Sequence, residues 1–114
     1  MLPPRNRLRK TREIERVFQE GSSFKEGSLL LKSVKNGLTV SRFTFIVGQK
    51  TAKKATQRNK IKRRLRDIVK KNLPHLKKGL DIIVVTLKGA ETKTYKELEG
   101  SAQKLFKKAG LLQS

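Results

Sequence analysis

The chain has no cysteine and no tryptophan, one histidine, one tyrosine and one methionine, and only nine acids among its 114 residues. Without cysteine there can be no disulfide, no thiolate nucleophile and no thiolate-ligated zinc. The nine acids, from Glu13 to Glu99, are scattered and form no metal-loop spacing. His75 follows Pro74 with no second histidine or nucleophile close by in sequence, so no catalytic role is assigned to it. The eight glycines fall at expected turns and helix ends, not in a phosphate-cradling loop. No uninterrupted apolar run exceeds residues 82–85, whereas a membrane-spanning helix needs about 20 such residues. The basic start lacks the apolar centre of a signal peptide. These absences predict a soluble, cytoplasmic chain with no membrane partner and no catalytic constellation of its own.

What is present is positive charge: 29 Lys and Arg give a formal net charge of +20. Self-repulsion of that size opposes compactness and is naturally offset by a polyanion. Leu, Ile, Val and Phe still number 33, enough for a modest core in one domain spanning residues 1–114. The charge is concentrated. Residues 50–71 hold eleven cations against one acid, Asp67, and a second group, Arg5, Arg7, Arg9, Lys10 and Arg12, opens the chain. Clustering of this kind marks a binding face.

Three helices and three strands are predicted, in the order α-β-β-α-β-α. Thr11 is the expected N-cap of the first helix, with Ile14, Val17 and Phe18 at helical spacing and Gly21 as the C′ stop. Residues 28–34 and 38–47 read as strands joined at Asn36-Gly37, a strong hairpin signal. Phe43, Phe45 and Val47 share one face of the second run, Arg42, Thr44 and Ile46 the other. The second helix runs from Ala55 or Arg58 to Asn72 and stops before Pro74. Residues 81–86 read as a buried strand. Residues 94–109 form the last helix, with a stripe of Leu98, Ala102, Leu105, Phe106 and Ala109 and a stop at Gly110. Phe43, Phe45 and Phe106 are expected in the core, while Phe18 and Phe24 are open to either reading.

Around the second helix, at about 100° per residue, Ile61, Leu65, Ile68 and Val69 make one apolar stripe. Asn59, Lys62, Arg63, Arg66 and Lys70 form a ridge turned away from it. Like charges at i,i+4 disfavour the isolated helix by a few tenths of a kcal/mol per pair, which a phosphate-rich surface offsets. Arg supplies planar forks for bidentate phosphate contacts. Asn59 adds a neutral donor and acceptor for a phosphate, a base edge or a metal-bound water. A merely solvated face would interleave acids, and here only Asp67 does so. No helix-turn-helix or zinc-finger spacing is present and aromatics are few, so an irregular RNA surface suits the ridge better than DNA.

The stretch Arg58-Asn59-Lys60-Ile61-Lys62-Arg63-Arg64-Leu65-Arg66-Asp67 resembles the signature of the bacterial ribonuclease P protein component. Every fixed position of R-N-x-x-K-R-x-x-R is present, as Arg58, Asn59, Lys62, Arg63 and Arg66. The opening Arg5-Asn6-Arg7-Leu8, the helix end Arg16-Val17-Phe18-Gln19-Glu20-Gly21, the basic loop with Lys50, Lys53 and Lys54, and Asp81-Ile82-Ile83-Val84-Val85 are also similar to that family. The resemblance covers residues 5–108.

The resemblance implies a protein subunit that binds the ribonuclease P RNA subunit and precursor tRNA. The holoenzyme removes the 5′ leader by endonucleolytic cleavage, with chemistry carried by the RNA and its Mg2+. It implies RNA contacts from the motif helix and the preceding loop, to which the charge clustering adds Arg5, Arg7 and Arg9, and an indirect role for Asn59 near metal. It also implies a leader cleft between sheet and first helix at Ile14, Phe18 and Lys32, of which only Phe18 is aromatic. The family fold is an α+β sandwich: a mainly antiparallel four-stranded sheet with three helices and a left-handed βαβ crossover. The fourth strand is therefore expected between Asn36 and Val47. The alternative is a ribosomal or assembly protein using the same helix on ribosomal RNA.

Overall fold

A computed structural model describes residues 2–113. Helix α1 (Thr11–Glu20) leads into strands β1 (Ser22–Glu26), β2 (Leu29–Lys35) and β3 (Arg42–Val47). Helix α2 (Ala55–Asn72), strand β4 (Leu80–Thr86) and helix α3 (Tyr95–Lys108) follow. The sheet order is β1-β2-β4-β3: β1 and β4 both run antiparallel to β2, and β3 runs parallel to β4. The β3-α2-β4 segment is thus a crossover between parallel neighbours. This is the four-stranded, three-helix α+β architecture anticipated from the resemblance.

The core follows the two periodicities. Leu29, Leu31, Phe43, Phe45, Ile82 and Val84 bury one sheet face against Ile61, Leu65, Ile68 and Val69 of α2 and Leu98, Ala102, Leu105 and Phe106 of α3. Phe24 packs partly buried at the edge of this cluster. On the opposite face a smaller cluster, Leu8, Val17 and Ile83, seats α1 on the sheet.

Four expectations are corrected. The fourth strand is β1, not a segment between Asn36 and Val47, and the element order is α-β-β-β-α-β-α. Its Ser-Ser-Phe-Lys-Glu sequence lacks apolar alternation because an edge strand buries only Phe24 in part. Second, Asn36-Gly37 does not close a hairpin between β2 and β3, since β4 lies between them. β4 is apolar on both faces, with Ile82 and Ile83 fully buried, so it takes the centre and wedges the two apart. Asn36 instead braces a wide loop: Oδ1 accepts from the Leu38 N–H at 2.7 Å, and Nδ2 donates to the Val40 carbonyl.

Third, Thr11 is the first helical residue; Lys10 holds the cap position without a side-chain bond. Fourth, Gly21 ends α1 in extended, not left-handed, conformation (φ −73°). Its need is for space: an added Cβ would lie 2.4 Å from the Val17 carbonyl oxygen. The last helix starts one residue later than read, at Tyr95, with Thr94 as its N-cap in a reciprocal capping box with Glu97. Gly110 ends it with φ +69°.

Candidate nucleic-acid interface

Helix α2 is amphipathic as its sequence dictates. With Ile61, Leu65, Ile68 and Val69 buried, Asn59, Arg63, Arg66 and Lys70 are exposed and Lys62 half-buried. The side-chain bonds that α2 makes lie elsewhere on it. Arg64 donates to the Lys93 carbonyl, Lys71 pairs with Glu99, Asp67 accepts from the Tyr95 hydroxyl, and Asn72 bonds back to Ile68. Among the described residues the donors of the ridge have no partner, which leaves them for an outside one.

Arg58 does something the motif alone did not reveal. Its Nη1 donates to the carbonyls of Ala52 at 3.0 Å and Lys53 at 2.7 Å. The guanidinium thus folds the loop at residues 48–54 back onto the start of the helix. Ala52 is buried, which pins the loop further, while Lys50, Lys53 and Lys54 remain exposed. Arg58 shapes the cationic loop more than it extends the ridge.

The N-terminal basic group joins this surface through the backbone. Arg7 bridges Phe43 in parallel, the Leu8 N–H donates to the Phe43 carbonyl at 2.8 Å, and Asn6 Nδ2 donates to the Ser41 carbonyl. Leu2 and Leu8 are buried beneath. Arg7 and Arg9 consequently face Lys62 and Arg66 across a cleft of about 380 Å³ floored by Phe43, Thr44 and Phe45. Arg5 turns instead to an adjoining recess of about 230 Å³ shared with Lys77 and Lys78. The sequence reading passed over those two lysines, since nothing in their spacing connects them with Arg5.

On the other sheet face, Ile14, like Val34, Ile46 and Val85, is partly buried against Leu8, Val17 and Ile83. Phe18, one turn on, is 42% exposed. Lys32 of β2 rises to meet it, its Nζ donating to the Phe18 carbonyl at 3.2 Å and lying 5.5 Å from the ring centroid. The structure therefore brings Phe18 and Lys32 into contact, with Ile14 beside them. At the other end of α1, Glu13 pairs at 3.0 Å with Arg42, which also holds the buried Asp81. The Asp81 hydrogen bond raises the Arg42 pKa, so this cation stays charged.

Among the described residues no group of three or more His, Cys, Asp or Glu is placed to hold a metal ion. Asn59 offers one neutral oxygen among cations, which does not make a magnesium cage. No described helix is long and apolar enough to cross a membrane.

Comparison with known proteins gives one consistent result. The family model for Ribonuclease P matches residues 2–110. The ribonuclease P protein component of Pseudanabaena is 34% identical over 113 residues, covering 98% of this chain and 97% of that protein. That of Finegoldia magna is 37% identical over 105 residues, covering 90% and 89%. The solved RNase P protein of Staphylococcus aureus superposes with a TM-score of 0.87 at 26% identity, covering 95% of this chain and 98% of that one. That of Thermotoga maritima gives 0.82 at 32% identity, covering 90% and 96%.

Proposed function

Because the chain belongs to the ribonuclease P protein family, we propose that two surfaces on opposite faces of its sheet, one cationic and one largely apolar, divide the RNA between them. The chain is the protein subunit of ribonuclease P, an endoribonuclease, and its partner is the enzyme's RNA subunit. In this reading the whole chain acts as one RNA-binding domain. Asn59, Lys62, Arg63, Arg66 and Lys70, with Lys50, Lys53 and Lys54 of the braced loop and Arg5, Arg7 and Arg9, grip the RNA subunit. Ile14, Phe18 and Lys32 on the opposite sheet face hold the 5′ leader of precursor tRNA. The observation that carries the first part is the cleft where Arg7 and Arg9 meet Lys62 and Arg66. Four cations around one groove are costly unless phosphates enter it.

The chain contributes binding and orientation. Arg forks fix phosphates bidentately, and the apolar Ile14 with the Phe18 ring offers a surface for unstacked bases. Mg2+, held mainly by the RNA subunit, would supply the charge stabilisation and activated water of hydrolysis, and Asn59 would reach it only through a bound water. A cytoplasmic location accords with this partner. The ribosomal-RNA alternative is not favoured, since the family match and the relatives point to ribonuclease P.

The test is reconstitution: chain, ribonuclease P RNA and precursor tRNA at low Mg2+, following leader release. Cleavage is expected only when chain and RNA are both present. Tight RNA binding without stimulation would overturn the reading that this chain promotes leader removal.

A further inference from the structure

Two cations of α2, Lys60 and Arg64, occupy variable positions of the motif and lie on the flank away from the ridge. They line a cleft of about 360 Å³ between α2 and the start of α3, with Lys93 and Tyr95 as the opposite wall and Gln57 and Glu91 at its rim. Arg64 is held by the Lys93 carbonyl at 3.3 Å through one Nη1 hydrogen only, which leaves the other donors of its fork available. Two acids stand nearby, Glu91 accepting from the Gly89 N–H and Asp67 from the Tyr95 hydroxyl, against the cations Lys60, Arg64 and Lys93 of the cleft. The first turn of α3 is closed by its own capping box, so side chains, not the helix end, supply the positive field. Lys60 and Arg64 repel each other at i,i+4, the same cost that the ridge bears.

We propose that this cleft is a second RNA site, taking one single-stranded nucleotide step of the RNA subunit. Its phosphates meet Lys60, Arg64 and Lys93, and a base lies against the side of the Tyr95 ring away from Lys71, whose Nζ stands 5.6 Å from the ring centroid. The size of the cleft suits a nucleotide and excludes a duplex. The leader is not the occupant, because α2 and α3 pack on the sheet face opposite to α1. The RNA subunit then straddles α2 instead of resting on one side of it. This rests on the reading that the ridge faces the RNA subunit.

Since the chain has no cysteine, one introduced cysteine gives a unique tether for an iron chelate that cleaves nearby RNA. Lys93→Cys probes the cleft and Lys70→Cys the ridge, each in holoenzyme reconstituted with RNA subunit and precursor tRNA. Both tethers are expected to cut the RNA subunit, at different places. A ridge tether that cuts and a cleft tether that is silent, or that cuts only precursor tRNA, would overturn the second site alone. If neither cuts the RNA subunit, the ridge reading falls with it.

Affinity gives an independent arm. Lys60→Ala with Lys93→Ala should flatten the salt dependence of RNA-subunit binding by about 1.4, two single-strand phosphates' worth. Tyr95→Leu should weaken binding by about tenfold through lost stacking, while Tyr95→Phe keeps the ring and the affinity. Equal losses in Phe and Leu variants would mean that the hydroxyl's bond to Asp67, not a stacked base, is what matters, and would overturn the site.

Discussion

Arg42 grips Asp81 with two bonds of 2.8 Å, from Nε to one carboxylate oxygen and from Nη2 to the other. The two residues are register partners at the start of the parallel β3/β4 pair. Asp81 is only 2% exposed, and Asn36 Nδ2 adds a third donor at 2.9 Å. One bidentate pair thus joins the β2–β3 loop, two strands and, through Glu13, helix α1.

Removing one partner of a buried pair strands the other charge. Arg42→Ala should destabilise the chain by about 3 kcal/mol, whereas Glu13→Ala, at the wetter end, should cost below about 1 kcal/mol. Denaturant unfolding of the two variants checks this. Equal midpoints would show that the buried Asp81 pair contributes no more than the Glu13 contact.

Tyr95 is the sole tyrosine and no tryptophan is present, so its ionisation can be read directly by ultraviolet absorbance. The hydrogen bond to Asp67, then burial, raises its pKa above the ordinary 10.0. The neutral phenol is favoured by folding. Its contribution is therefore complete below the unfolded pKa and is lost as pH rises through the folded one. Asp67→Asn should move the titration midpoint back down, and an unmoved midpoint would refute the pairing.

The ridge and the α1 cleft should separate in binding experiments. Arg63→Ala and Arg66→Ala are expected to lower the salt slope of RNA-subunit binding by about 0.9 each with stability within about 0.5 kcal/mol. Ile14→Asp should leave that binding intact and reduce discrimination between precursor and mature tRNA. The reverse pattern would mean that the two surfaces are exchanged.

Arg58→Lys keeps the charge, but its shorter side chain ends in a tetrahedral ammonium that does not reach the place where the planar Nη1 group meets both loop carbonyls. Trypsin should then cut faster at Lys50, Lys53 and Lys54, with RNA affinity falling several-fold at constant net charge. Unchanged proteolysis would leave Arg58 as a phosphate ligand only.

Much of this was legible beforehand, because periodicity and composition are local. The apolar stripe and cationic ridge of α2, the twice-buried β4, the stripe of α3 and the inward Phe43 and Phe45 all follow from residue spacing within one element. The edge strand β1 escaped because its polar sequence carries no alternation, and the Asn36-Gly37 signal misled because a turn motif cannot know which strand will come between its arms. That choice belongs to β4, the segment with apolar residues to bury on both faces. Only the tertiary structure brought Arg7 and Arg9 to Lys62 and Arg66, gave Asp67 to Tyr95, and set Lys32 against Phe18. Each of these contacts joins segments far apart in sequence, and its partner is decided by sheet order and helix seating. The sequence by itself determined which faces bury and which carry charge; the packing decided which charged faces meet.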